Sequence, residues 1–265
     1  MPQDDLSQIL QQLHSSEQHQ TRFSEDWSQG RAAYGGLVAS MASLAMSKCL
    51  SSPQPLRSLM VSFLAPLPAG EVTVIPSIQR QGKNVTQASA DVMSGDTLCL
   101  RAMAVFGKPR TALNVETKTS FNPAPRDSGI SIADHAKRLP SFLQYFEGNW
   151  SAGGMPFSGQ ADTALSMWVK HRSDLSAFPN EKIIAIADIP PPVVLSHFSQ
   201  PPVPASSLTW SLEFMLPAEE IEGDWFYLDF TMDGAADGYT QQSGKIYSES
   251  GQLCALSRQC MVYFG

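Results

Sequence analysis

Alternation of apolar and polar residues marks several stretches of this chain as strands. Val72, Val74 and Ile78 fall on one side of an extended segment, and Leu98, Leu100, Ala102, Ala104 and Phe106 fall on one side of another. This period of two is what a strand with a single buried face requires. Trp225 to Met232 and Leu253 to Phe264 read in the same way. Leu37 to Met46 is different: it is apolar or small on every side, so a helix there has no face for water and must be wrapped by other elements. Gly35-Gly36 opens it. Asp4 to His14 predicts a short leading helix with Leu6, Ile9, Leu10 and Leu13 on one face. Further on, Asp188 precedes Ile189 and Pro190-Pro191-Pro192. An acidic residue followed by prolines is the pattern of a helix start, so a second helix is expected to begin at Asp188.

These elements occur in two similar sets. Ser94-Gly95 leading to Met103-Ala104-Val105-Phe106-Gly107 is echoed by Ser250-Gly251 leading to Met261-Val262-Tyr263-Phe264-Gly265. Phe63-Leu64-Ala65-Pro66 is echoed by Phe214-Met215-Leu216-Pro217, each an apolar strand that breaks at proline. A duplicated unit is implied, one helix followed by long antiparallel strands. Lys108 to about Pro140 is rich in Pro, Ser, Asn and Thr and reads as a linker with a short helix at Ile132 to Leu139, and Trp150 to Gly154 reads as turn structure. The economical architecture is α+β, a curved antiparallel sheet wrapped around a central helix, made twice, with both sheets in one layer and the helices on the same side. The units are expected at 1–22 (leading segment), 23–115, 116–138 (linker) and 139–265.

Composition narrows the function. Apolar residues make up 43% and charged residues 16%, which is a folded chain, and 18 basic against 25 acidic residues argue against a nucleic-acid partner. No apolar stretch is long enough to cross a bilayer as a helix, and Met1 is followed by Pro2, Gln3, Asp4 and Asp5 rather than a basic signal region, so a cytoplasmic protein is expected with no membrane partner. Cys49, Cys99, Cys254 and Cys260 lack metal-site spacing and the histidines are scattered, so no metal and no cofactor is expected. Neither a Gly-x-Ser-x-Gly elbow nor a glycine-rich phosphate loop occurs.

Trp27, Gly30-Arg31-Ala32-Ala33-Tyr34-Gly35-Gly36, Leu56-Arg57-Ser58 leading into Phe63, Arg80-Gln81-Gly82-Lys83, Asp188 before the proline run, Ser207-Leu208-Thr209 and Ser257-Arg258-Gln259 together resemble the acyl-CoA thioesterase II family, in order and spacing over the chain from Phe23 onward. That resemblance implies a tandem (double) hotdog fold and hydrolysis of fatty acyl-CoA, and the flexible, apolar candidate walls named below lead to the expectation of medium to long acyl chains. It also implies three residues holding the hydrolytic water: Asp188 as base, with Ser207 and Gln259 fixing the water. Gly35 and Gly36, at a helix N-terminus, are implied contacts for the substrate carbonyl. The family pattern more often has Thr where Ser207 stands. Strand alternation puts Ser207 on one face with Thr209 and Ser211, and Ser206 on the other, so Ser206, Ser207 and Thr209 all remain candidates for the hydroxyl. The resemblance further implies a homo-oligomer, a dimer or tetramer.

Aligning Met103 with Met261 sets Arg101 opposite Gln259, and aligning Phe63 with Phe214 sets Leu56 opposite Ser207, which implies one active site per duplicated chain. Met41, Leu44, Met46, Met60, Phe63 and Met103 are candidate walls of an acyl tunnel. Simpler readings stand beside these: Asp188 as an N-cap, Gln259 as a half-exposed strand residue, and Arg31, Arg57, Arg80 and Lys83 as solvated surface rather than contacts to coenzyme A phosphates. Two other functions share the fold: a degenerate hotdog that binds acyl-CoA without cleaving it, and a hydratase, which needs a His beside the acid.

Overall fold

The computed structural model describes residues 4–115, 120–134 and 139–264. Its helices are α1 (Leu6–Ser15), α2 (Gly35–Lys48) and α3 (Pro179–Ala187). Its first seven strands are β1 (Gln20–Phe23), β2 (Ser28–Gln29), β3 (Ala32–Ala33), β4 (Leu56–Phe63), β5 (Gly70–Gln81), β6 (Val85–Ser94) and β7 (Thr97–Gly107). The rest are β8 (Ile130–Ser131), β9 (Phe146–Ala152), β10 (Ala164–His171), β11 (Ala205–Phe214), β12 (Phe226–Ala236), β13 (Tyr239–Ser248) and β14 (Leu253–Tyr263).

Apart from the β2–β3 pair, the strands form one sheet in the order β1-β5-β6-β7-β4-β11-β14-β13-β12-β10-β9-β8. The duplication is visible in that order: β5-β6-β7-β4 in the first half is matched by β12-β13-β14-β11 in the second. The halves join edge to edge through β4 and β11, antiparallel, with Ser62 opposite Thr209 and Ser58 opposite Glu213. Joining them hides two edges that would otherwise present unpaired N–H and C=O groups. The tandem hotdog is therefore present, with α2 against β5, β6 and β7 and both helices on the inner side of one layer.

Helix α2 is buried from Gly36 to Met46, as its lack of a polar face demands. Strand β7 buries Leu100, Ala102, Ala104 and Phe106 and turns Arg101 and Met103 outward, the alternation expected of it. Leading helix α1 begins at Leu6, two residues later than expected, capped by Asp5, whose carboxylate accepts the N–H of Gln8 at 2.9 Å while the Gln8 side chain accepts the Asp5 N–H at 2.9 Å. Its apolar side, Leu6, Ile9, Leu10 and Leu13, is buried.

Three expectations are corrected. The second helix does not begin at Asp188; it begins with Pro179 in its first turn and ends at Ala187, with Asp188 as its C-cap. Proline suits the first turn of a helix and also the residues just past its end, and here both uses occur. Trp150 lies in β9 and not in a turn. Met60 and Met103, taken as tunnel walls, sit opposite each other on β4 and β7 with their side chains on the outer face, 45% and 49% exposed. Met41, Leu44 and Met46 are buried. The helix expected at Ile132 to Leu139 falls partly on 135–138, outside the described residues.

Stacked rings fix the start of α2 against the second half. Trp27 stacks on Tyr145 with centroids 4.2 Å apart, and Tyr34 stacks on Phe142 at 4.0 Å. Such pairs contribute about 0.5–1.5 kcal/mol each beyond the area they bury.

Candidate active site

Helices α2 and α3 lie side by side in opposite directions, and the contacts along them show the closeness. Ser43 Oγ donates to Glu181 Oε1 at 2.8 Å, and Ser40 Oγ reaches the Glu181 carbonyl at 3.3 Å. The Tyr34 hydroxyl donates to the carbonyl of Ala185, one of the last-turn carbonyls of α3 that has no partner within its helix. By tying the entry of α2 to the exit of α3, Tyr34 brings Gly35 and Gly36 to Asp188.

Asp188 is the centre of the group. Its Oδ1 accepts from Gln259 Nε2 at 2.7 Å, and the carboxylate also accepts the backbone N–H of Gly36. A Cβ on residue 35 would stand 2.7 Å from Asp188 Oδ2 and 3.0 Å from the Phe63 ring, so only glycine allows the carboxylate this close to the helix N-terminus. The positive end of the helix dipole faces the carboxylate. Dense packing around Asp188 still raises its pKa from an ordinary 3.8 to about 7, against the lowering effects of Gln259 and Gly36. The side chain keeps partial solvent contact despite that packing. Burial, with the Asp188 charge adding to it, pushes the Tyr34 phenol well above its usual range.

Gln259 reaches this point from β14, 3% exposed, directly opposite Trp210 on β11. Behind it stands a residue that sequence reasoning missed. Gln242 on β13 is opposite Gln259, 1% exposed, with its Nε2 3.5 Å from Gln259 Oε1 and its Oε1 accepting the N–H of Val193 at 3.1 Å. The signal available was register: a polar residue paired across a ladder with a buried one.

Ser207 lies on the inner face of β11, opposite the buried Met261 and diagonal to Gln259, half-buried, its hydroxyl bonding neither Asp188 nor Gln259. A bulge at Leu208 separates Ser207 from Thr209. It reverses the simple alternation: Thr209 is paired with Cys260 and exposed, and Ser206 is exposed as well. Ser207 alone of the three faces the carboxylate's side of the sheet.

The first half has no equivalent group, although not for the reason the repeat alignment gave. Arg101 faces outward into a bidentate pair with Asp91, both bonds 2.7 Å, so it cannot correspond to inward-facing Gln259. The inward residues of β7 from Leu100 to Phe106 are all apolar.

Other buried ionisable groups lie apart from Asp188. Glu181, on Ser43, is pushed by burial to about 7. His171, on the Lys182 carbonyl at 2.8 Å, is lowered by burial to about 4. His197 Nε2 lies 3.1 Å from the Asp162 carbonyl. Among the described residues no histidine bonds Asp188, as a hydratase would need. Among the described residues no three His, Cys, Asp or Glu side chains gather as a metal site would require, and no helix is long and apolar enough to cross a membrane.

Compared with known proteins, residues 23–107 match the acyl-CoA thioesterase N-terminal domain and residues 119–263 match the acyl-CoA thioesterase C-terminal domain. No curated protein matches the chain in sequence. Among solved structures, a hot dog fold protein of unknown function from Alicyclobacillus acidocaldarius superposes with a TM-score of 0.78 at 18% identity, covering 93% of this chain and 92% of its own. The tesB protein of Mycobacterium avium subs paratuberculosis gives 0.77 at 16% identity over 98% of this chain and 100% of that one. The acyl-CoA thioesterase II TesB2 of Mycobacterium marinum gives 0.69 at 15% identity, over 91% and 96%.

Proposed function

The chain belongs to the acyl-CoA thioesterase family, and from that premise we propose that it hydrolyses medium- to long-chain fatty acyl-CoA to free fatty acid and CoA at Asp188. The observation that carries this reading is the 2.7 Å bond from Gln259 to a carboxylate with a pKa of about 7, set against the N-terminus of α2. A general base works best when its pKa lies near the working pH.

In the proposed reaction a water lies between Asp188, Gln259 and Ser207. Asp188 takes its proton as the oxygen attacks the thioester carbon, and the positive end of α2 at Gly35 stabilises the negative charge that develops on the carbonyl oxygen, while the Gly36 N–H stays on Asp188. The tetrahedral intermediate then collapses, the C–S bond breaks, and the thiolate of CoA leaves with the proton that Asp188 had taken. Ser207 and Gln259 orient the water, so most of their contribution is geometric.

Release of free thiol from acetyl-, octanoyl- and palmitoyl-CoA by the purified protein tests the proposal. Turnover is expected with octanoyl- and palmitoyl-CoA. Turnover confined to acetyl-CoA would contradict the chain-length claim. Tight acyl-CoA binding without thiol release would identify a binding protein instead.

A further inference from the structure

A glutamine amide can present either its oxygen or its NH2 group to a neighbour, and base chemistry at Asp188 depends on which one Gln259 presents. The contacts behind Gln259 decide this. A backbone N–H can only donate, so the bond from Val193 N–H fixes Gln242 Oε1 on that side and turns the Gln242 NH2 the other way. There it meets Gln259 Oε1 at 3.5 Å, which leaves Gln259 Nε2 to donate to Asp188 Oδ1 at 2.7 Å. With Gln259 turned over, its oxygen would face a carboxylate oxygen at the short contact while two NH2 groups faced each other at the long one. Both glutamines are almost wholly buried, so bulk water does not compete for these contacts.

The proline run acquires a role in this arrangement. Pro190, Pro191 and Pro192 have no N–H, and that of Ile189 is bonded to the Ile186 carbonyl, so Val193 supplies the first uncommitted backbone donor after α3. We propose that Gln242, anchored by Val193, is a positioning residue that locks the Gln259 amide with its N–H toward Asp188. It touches no reacting atom; it sets the direction of the one side chain that holds the base. The inference rests on the reading of Asp188 as that base.

The other ionisable groups around Asp188 leave this lock as the adjustable influence. From α2's entry the Tyr34 phenol is committed to Ala185, and on α3 Glu181 lies nearly two turns away on Ser43. On β14 Arg258 points outward, and Lys245 on β13 is exposed. Bonding to the charged form of a carboxylate lowers its pKa, so loosening Gln259 should raise that of Asp188 further.

The test compares Gln242→Met, similar in length but without the amide, with Asp188→Asn and the wild type. Three quantities are measured: the pH profile of kcat, KM, and the titration of the Asp188 carboxyl by carbon NMR, which needs no turnover. For Gln242→Met the midpoint of the kcat profile and the NMR titration should both move up by about half to one pH unit, with KM within about twofold. Gln242→Asn, too short to span both contacts, should move them the same way by less and serves if the Met variant does not fold. An unmoved NMR titration in a folded Gln242 variant overturns the inference, whatever the activity. If Asp188→Asn keeps full kcat, the base reading fails separately, and the NMR titration still decides whether Gln242 sets the amide.

Discussion

Replacing Asp188 by Asn should separate catalysis from folding, because kcat should fall while the effect on stability should depend on pH. Catalysis loses its proton acceptor, since an amide is not a useful base, and general-base contributions are typically about 10²- to 10⁴-fold in kcat. KM should change little, because the lost interaction is made to the water and not to the acyl chain. Stability follows from the titration. The carboxyl has a pKa of about 7 when folded against an ordinary 3.8. Because the folded value is the higher one, the native state holds a proton that the unfolded chain has already released between the two values, and stability falls as pH rises through that window. Between about pH 5 and about pH 8 the cost of keeping Asp188 grows by about 2.5 kcal/mol, at 1.36 kcal/mol per unit. Asn also loses one accepted bond, from Gln259 or Gly36, at a cost of about 1–3 kcal/mol that does not vary with pH. The variant should therefore be equal to or less stable than wild type near pH 5 and relatively more stable by about 2.5 kcal/mol near pH 8. Urea unfolding at the two pH values, paired with kcat, is the assay. A stability difference that does not change with pH would refute the buried-carboxylate reasoning, and an unchanged kcat would refute the role as base.

In the wild type, kcat should rise with pH to a plateau with a midpoint near 7, and a midpoint near 4, as for an exposed Asp, would contradict the raised value. Gly35→Ala places a Cβ 2.7 Å from Asp188 Oδ2 and 3.0 Å from Phe63, so kcat should fall at least about tenfold while circular dichroism shows the fold retained. Tyr34→Phe leaves the Ala185 carbonyl without its partner and should cost about 1–3 kcal/mol of stability by denaturant titration. Glu181→Gln keeps an acceptor for Ser43 and removes a buried carboxyl with a pKa of about 7, so it should raise the melting temperature at pH 8 and leave kcat unchanged.

How much of this was legible in the sequence depended on whether the signal was local. Helix α2 was legible because a stretch with no polar face admits only a wrapped helix, and β7 and β14 because their alternation is regular. Helix α3 was misread because prolines border a helix at both ends; Pro179, with Glu181 in the first turn, marked the start, and Pro190 to Pro192 lie just past the end. Asp188 stands at the end of one helix facing the beginning of another. That meeting is tertiary and leaves no trace in spacing. The bulge at Leu208 was equally hidden, and it decides that Ser207, not Thr209, faces inward. Gln242 lies in a polar strand where nothing local distinguishes it from Gln241; only its pairing with Gln259 does.

The central claim is that an oriented water, deprotonated by Asp188, attacks the thioester directly. A single turnover of octanoyl-CoA in oxygen-18 water, with enzyme in excess, tests this most directly. Direct attack predicts one heavy oxygen in the octanoic acid formed in that first turnover and none in Asp188. An unlabelled acid with the heavy oxygen recovered in the Asp188 carboxyl would mean that the aspartate itself is acylated, and would contradict the account.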